Sequence, residues 1–324
     1  MTGDPAPIVI RSDRLSVEVA HPGAAYRRTR FDWTGWVTQV TLDGARTFCS
    51  VEDPDPNAGS GGVGLCGEFG IERPVGYDDA QPGECFPKLG VGLLRRRDAG
   101  AYNFFLDHEI EARFPFTVAS GADWVAMTAE PIECRGYAAR TSKTIRVEGA
   151  ALEIREKIEN TGQKDITTHE YYHNFIAVDR QPVGPAYVLR FPYDVRYEDM
   201  TESYRAFLPP VLQKITPRFV LKWLIGRRLS AGLLETRGKE ITWKATPTMP
   251  FYNRPVGFFK TTEPQWTLTH APSGAWIREV DSFDPARVAV WGVGHVVSAE
   301  VFVDIHVRPG ETQEWTRRYE FGAP

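Results

Sequence analysis

Alternation with a period of two is the feature that most limits how this chain can fold. Lys143-Thr-Ile-Arg-Val-Glu148 and Ala151-Leu-Glu-Ile-Arg-Glu-Lys-Ile-Glu159 set apolar and polar side chains in turn, with Gly149-Ala150 as a tight connection between them. A strand sends successive side chains to opposite faces, so the pattern specifies an antiparallel hairpin with one dry and one wet side. The same alternation occurs in Val125-Ala-Met-Thr128 and in Val301-Phe-Val-Asp-Ile-His-Val307, whose apolar side is Val301, Val303, Ile305 and Val307. After Gly238, aromatic residues from Trp243 to Trp291 recur between proline and glycine turns, again in short runs. The expectation is an all-β chain, and its 324 residues suit a single domain over 1–324.

Apolar residues make up 42% of the sequence and charged residues 25%, enough to build a core. A formal charge of -4 lacks the basic footprint of a nucleic-acid partner and favours a neutral or mildly charged small molecule. Met1 to Pro7 show no basic then apolar leader, and no apolar run reaches the ~18 residues of a membrane span, so a cytoplasmic protein is expected. Cys49, Cys66, Cys85 and Cys134 form no C-x-x-C pair, which suggests reduced thiols and neither zinc site nor disulfide framework.

Three stretches depart from the strand rhythm. Residues 52–92 read as a long loop rich in hydrogen-bonding groups, among them Glu68, Glu72, Arg73 and Lys88. Its run Gly59 to Gly64 is no phosphate loop, because no Gly-Lys-Ser/Thr follows. Arg95-Arg96-Arg97 reads as a solvated edge. Residues 203–234 hold six Lys or Arg and no Asp or Glu. Thr216-Pro217 suits a helix start, and Leu212, Ile215, Phe219 and Trp223 share one side of a helical projection beside Lys214, Arg218 and Lys222. A short basic helical insertion over 203–237 is expected, packed on the sheet, with a subunit contact, a lid or an anionic membrane surface as other roles.

Polar chemistry concentrates in Thr167-Thr-His-Glu-Tyr-Tyr-His-Asn-Phe-Ile-Ala-Val-Asp179. As a strand it turns His169, Tyr171 and His173 to one face and Glu170, Tyr172 and Asn174 to the other. The first face offers a general acid and an aromatic platform to a polar ligand; the competing reading is a half-buried structural imidazole among ordinary strand tyrosines. A metal on His169 and His173 would need a helix, which the β-branched and aromatic neighbours oppose, so no metal is expected. Elsewhere, Asp32 lies between the aromatics of Arg30-Phe-Asp-Trp-Thr-Gly-Trp36, where Trp33 or Trp36 could stack on a sugar or simply pack in the core. Glu300 stands where a Gly-rich entry leads into the strand of Val301; taken alone, such a glutamate is ordinarily solvated.

Several segments together resemble the galactose mutarotase-like superfamily, the aldose 1-epimerase relatives, in a non-classical bacterial branch. They are Tyr26-Arg-Arg-Thr-Arg-Phe-Asp-Trp33, Phe69-Gly70 with Gly76-Tyr-Asp-Asp79, Lys88-Leu-Gly-Val-Gly92, Glu170-Tyr-Tyr-His-Asn-Phe175, Ala299-Glu-Val-Phe302, and Pro309-Gly-Glu311 with Trp315 to Phe321. The resemblance spans most of the chain outside the basic insertion. It implies a β-supersandwich with a sugar cleft on a concave face, no cofactor, a small-molecule carbohydrate as partner, and a monomer or homodimer. It also implies a mechanism in which a glutamate takes the anomeric proton, a histidine protonates the ring oxygen, and the opened sugar recloses on its other face.

The family's His-x-Tyr-Phe/Tyr pattern falls on His169-Glu-Tyr-Tyr172, so His169 inherits the acid role, and the late glutamate falls on Glu300. The motif departs from the family where His173 intervenes before Asn174, which makes His173 the alternative acid. The family's Asn-Arg-Ile segment has no equivalent, leaving Arg73 or Lys88 as substitutes, while Asp32, Trp33, Tyr171 and Asn174 are the remaining sugar contacts. Two other functions stay open: a sugar-binding protein or sensor without turnover, and a lyase or isomerase acting on an oxidised sugar.

Overall fold

The structure is a computed structural model that describes residues 5–55, 58–198, 216–217, 219–220, 233–257 and 265–324. The strands among its described residues pair antiparallel throughout. One sheet has nine strands. Eight run in the order Ile8–Arg11, Leu15–Val19, Val37–Leu42, Leu65–Phe69, Ile166–Asn174, Val296–Val307, Arg287–Val293 and Phe251–Asn253, and Arg46–Thr47 pairs with Val37–Leu42. The second sheet has ten, in the order Leu234–Arg237, Glu240–Trp243, Tyr187–Arg190, Trp266–His270, Ala275–Asp281, Thr312–Gly322, Ala151–Asn160, Ala139–Glu148, Trp124–Ala129 and Phe116–Ser120.

The main core lies between these sheets. Val17, Val40, Leu65, Val288, Val290 and Val301 from the first meet Ile145, Leu152, Ile154, Leu268, Ile277 and Tyr319 from the second, all nearly solvent-free. Each points inward from its strand, and burying such a side chain is worth about 1.5–3 kcal/mol. The hairpin expected around Gly149-Ala150 is present as Ala139–Glu148 paired with Ala151–Asn160. Val301, Val303, Ile305 and Val307 are buried while Asp304 and His306 are exposed, as the alternation predicts.

Residues 52–92 are less of a loop than their composition suggests. Leu65–Phe69 is a fully buried strand inside the nine-stranded sheet, and Cys85–Lys88 opens a three-stranded sheet with Gly92–Arg95 and Glu109–Arg113. Burial on both faces removes the polar alternation that would have marked Leu65–Phe69 as a strand. The basic stretch of 203–237 lies largely outside the described residues, and its last part, Leu234–Arg237, is an edge strand paired with Glu240–Trp243 instead of helix. Among the described residues no helix is long and apolar enough to cross a membrane.

Candidate active site

Strand Ile166–Asn174 sits in the middle of the nine-stranded sheet, between Leu65–Phe69 and Val296–Val307. Residues directly opposite each other on antiparallel strands point the same way, so the register sorts the side chains into two faces. Tyr171 is opposite both Glu68 and Phe302, Arg287 is also opposite Phe302, Ala289 is opposite Glu300, and Trp291 is opposite both Ser298 and Tyr252. One face therefore collects His169, Tyr171, His173, Glu68, Ser298, Glu300, Phe302, Arg287 and Tyr252. The opposite face carries Glu170, Tyr172 and Asn174 toward the second sheet.

On the first face His173 Nδ1 lies 2.8 Å from Glu300 Oε1, and Ser298 Oγ donates to the same oxygen at 3.1 Å. Arg30 Nη2 lies 2.8 Å from the other ring nitrogen, Nε2. A guanidinium can only donate, so Nε2 accepts and the imidazole proton sits on Nδ1, facing Glu300. Arg30 is itself held by Glu68: its Nε donates to Oε2 at 2.9 Å, and the Tyr171 hydroxyl donates to that oxygen at 2.5 Å. Ser60 accepts from Arg30 Nη1, and the Glu52 carboxylate lies 3.9 Å away. Burial works against the charged form of Glu68, but Arg30 and Lys88 outweigh it and hold the carboxyl below its ordinary pKa. Lys88 is fully buried; its Nζ donates to the Phe69 carbonyl at 2.6 Å and stands 3.8 Å from Glu68 Oε1. Burial pushes its pKa down to about 8, against the pull of Glu68.

His169 is 5% exposed, and its Nε2 has no hydrogen-bond partner among the described residues. Burial, helped by Arg287, lowers its pKa to about 4, so the ring is neutral at pH 7. It projects four residues from His173 along the strand, a rise of about 13 Å. The stacked rings of Tyr171 and Phe302, with centroids 4.3 Å apart, stand on the same face between them. That separation prevents the two imidazoles from chelating one ion, and no group of three or more His, Cys, Asp or Glu among the described residues could hold a metal. Near His169 are Arg287, whose Nη1 donates to Glu72 at 2.8 Å and whose guanidinium lies 3.9 Å over the Phe302 ring, and Arg254, which reaches Glu72 at 3.4 Å and the Tyr252 hydroxyl at 3.2 Å.

The opposite face of the strand is a second charged network, buried between the sheets. Arg317 has no exposed surface and pairs with Glu170 at 2.6 Å and Glu279 at 3.1 Å, with Asp281 at 3.9 Å. Lys143 binds Glu156 at 2.9 Å, Asp32 at 3.0 Å and the Tyr172 hydroxyl at 3.1 Å. Gly67, opposite Tyr172, makes room for it: a Cβ there would stand 2.8 Å from Lys143 Nζ. Two cations thus face five carboxyls, Asp32, Glu156, Glu170, Glu279 and Asp281. Burial raises the pKa of Glu170 to about 7 and that of Glu279 above its ordinary value, and burial together with the neighbouring Glu279 raises that of Asp281 well above its ordinary value.

The sequence candidates therefore separate. His173, Tyr171 and Glu300 come together, Lys88 stands behind them against Glu68, and His169 lies farther along the same face. Asn174 is on the other face, where its amide donates to Glu279 and the Ala299 carbonyl and accepts from Tyr319. Asp32 is likewise committed to Lys143 and Thr34. Trp33 is buried against Phe116 and donates to the Arg28 carbonyl. Arg73 is exposed, and its carbonyl accepts from Thr168. Arg30, Ser298, Arg287 and Tyr252 were not singled out by sequence. Arg30 is one of three arginines in Arg27-Arg-Thr-Arg30, with nothing local to distinguish it. A separate depression lined by Ala24–Arg28, Val51, Asp53 and Gly61–Val63 contains none of these groups.

The fold is that of galactose mutarotase-like proteins. A galactose mutarotase-like protein from Clostridium acetobutylicum superposes with a TM-score of 0.55 at 9% identity, covering 98% of this chain and 95% of that one. An aldose epimerase homologue from C. elegans gives 0.56 at 12% identity over 98% of both chains. Galactose 1-epimerase from Lactobacillus acidophilus gives 0.53 at 11% identity, covering 98% of this chain and 94% of that one. No protein-family model matches the sequence, and no curated protein matches it.

Proposed function

We propose that this chain binds an aldose on the face of His173 and Glu300 and interconverts its anomers. The observation that carries the reading is the 2.8 Å pair of His173 Nδ1 and Glu300 Oε1, buried on the central strands of a mutarotase-like fold. Glu300 takes the proton of the anomeric hydroxyl while an imidazole gives one to the ring oxygen, the ring opens, and reclosure on the other face returns both protons. The two sugar oxygens sit on one carbon, so acid and base must lie close together. His173 satisfies that requirement beside Glu300, whereas His169 stands about 13 Å up the strand. For His173 to donate from Nε2, that nitrogen must exchange its hydrogen bond from Arg30 for a proton, so Arg30 governs when the ring is an acid.

The same Arg30 contact supports a second reading. With both ring nitrogens engaged, the imidazole has no proton for a ring oxygen, and the face would bind a sugar without turning it over. NMR exchange spectroscopy on a panel of aldoses separates the two. Saturable acceleration of anomer exchange, abolished by Glu300→Gln in a folded protein, supports the epimerase. Saturable binding without acceleration supports the binding protein, and neither binding nor acceleration removes both.

A further inference from the structure

The end of this face away from Glu300 carries two half-buried guanidinium groups on one carboxylate. The side chains of Arg254 and Arg287 are 18% and 20% exposed, whereas that of their shared partner Glu72 is 53% exposed. Arg254 also lies 3.5 Å from Glu198, half exposed itself, and Asp304, opposite His169, is exposed. The cations are thus set into the fold and their counter-ion is presented from the solvent side. One further donor is unused: Nε of Arg287 is buried without a partner among the described residues, as is Nε2 of His169, which donates or accepts according to the ring's tautomer. A buried donor left unpaired is costly, so such a group marks a place where a ligand acceptor is favourable.

The position is informative. Arg287 is opposite Phe302, two residues along the strand from Glu300, a rise of about 7 Å and comparable with the breadth of a pyranose ring. An aldose with its anomeric carbon at Glu300 would direct the substituent on its far carbon to the two arginines. Resting on the aldose reading above, we infer that the sugar taken here is anionic, with a carboxylate or phosphate on the carbon farthest from the anomeric centre, bound by Arg287 and Arg254 in place of Glu72. The carboxylate of Glu72 already shows what the pair accepts, and planar guanidinium groups match both anions.

Calorimetric titration with hexoses, hexuronates and hexose 6-phosphates, together with NMR anomer exchange, tests the inference. The expected result is binding of an anionic sugar at least ~10-fold tighter than its neutral parent. A preference confined to hexuronates identifies the carboxylate, and one confined to hexose phosphates identifies the phosphate. Arg287→Gln weakens the anionic sugar by roughly 10- to 100-fold and the neutral one little, and Glu72→Gln, which removes the competing carboxylate, tightens the anionic sugar severalfold. Equal or tighter binding of the neutral hexose overturns the inference and leaves the epimerase reading standing. Anion-selective binding without exchange supports the inference and removes the epimerase alone. Should Arg287→Gln fail to fold, Glu72→Gln decides, and an unchanged affinity overturns the inference.

Discussion

Arg30 lies 2.8 Å from Nε2 of His173 and, through its Nε, 2.9 Å from Glu68. A buried guanidinium thus fixes the tautomer of the central imidazole on one side while a carboxylate neutralises it on the other. Because Nδ1–H points to Glu300, Glu68, Arg30, His173 and Glu300 form a continuous chain in which each polar group meets the next within hydrogen-bond distance, in a place where an unpaired buried group would be costly.

The first prediction is the tautomer itself. Nitrogen-detected NMR of labelled protein is expected to show His173 protonated on Nδ1 and unprotonated on Nε2 at pH 7. Arg30→Gln should cost about 3–5 kcal/mol by denaturant unfolding, because it removes the nearest cation from the buried Glu68 and leaves only Lys88, 3.8 Å away, while Arg30→Lys should cost less. A loss under ~1 kcal/mol for the glutamine variant would mean that the pairing contributes little.

Glu300→Gln keeps a carbonyl oxygen for Nδ1–H and should leave the melting temperature nearly unchanged. The anomer exchange rate should fall at least ~100-fold, the scale of a lost general base. Glu300→Leu leaves the imidazole donor unpaired and should destabilise by about 1–3 kcal/mol.

Between the sheets, the two charges of Arg317 and Lys143 oppose five carboxyls, which gives an asymmetric expectation. Arg317→Met should be among the most damaging substitutions in the chain, at about 3–5 kcal/mol or loss of folding. Glu170→Gln should be tolerated. Its carboxyl has a pKa near 7 in the folded state, above the ordinary value of 4.5, so the native state binds more protons than the unfolded chain between those limits. Stability due to this group is present below about pH 4.5 and is lost as pH rises toward 7, so the glutamine variant should gain on the wild type across that window. Chemical denaturation of both proteins from pH 4.5 to 8 checks the sign.

His169 works in the reverse direction. Its folded pKa of about 4 lies below the ordinary 6.5, so the unfolded chain takes up the extra proton between them. Stability present above pH 6.5 is lost as pH falls through the window toward 4, and His169→Gln should remove that part of the acid sensitivity. A variant whose acid transition coincides with that of the wild type would contradict the assignment.

Much of the fold could be read from local pattern. The hairpin at Gly149-Ala150, the wet and dry sides of Val301 to Val307, and the division of His169, Tyr171 and His173 from Glu170, Tyr172 and Asn174 all follow from the period of two. Leu65–Phe69 was hidden, because a strand buried on both faces loses its alternation, and it lies within a stretch whose hydrogen-bonding residues read as a loop. Placing Asn174 among sugar contacts conflicted with the alternation that had already turned it away from His173.

What the sequence determined by itself was which side chains share a face, since alternation depends only on neighbours along the strand. Which groups meet across that face was decided by the tertiary structure alone. Arg30 reaches His173 over a separation of 143 residues, and Arg317 reaches Glu170 over 147. These pairings depend on strand register and on the stacking of two sheets, so no local window contains them. The same register set His173 beside Glu300 and left His169 among the arginines, giving two imidazoles of one short motif separate surroundings.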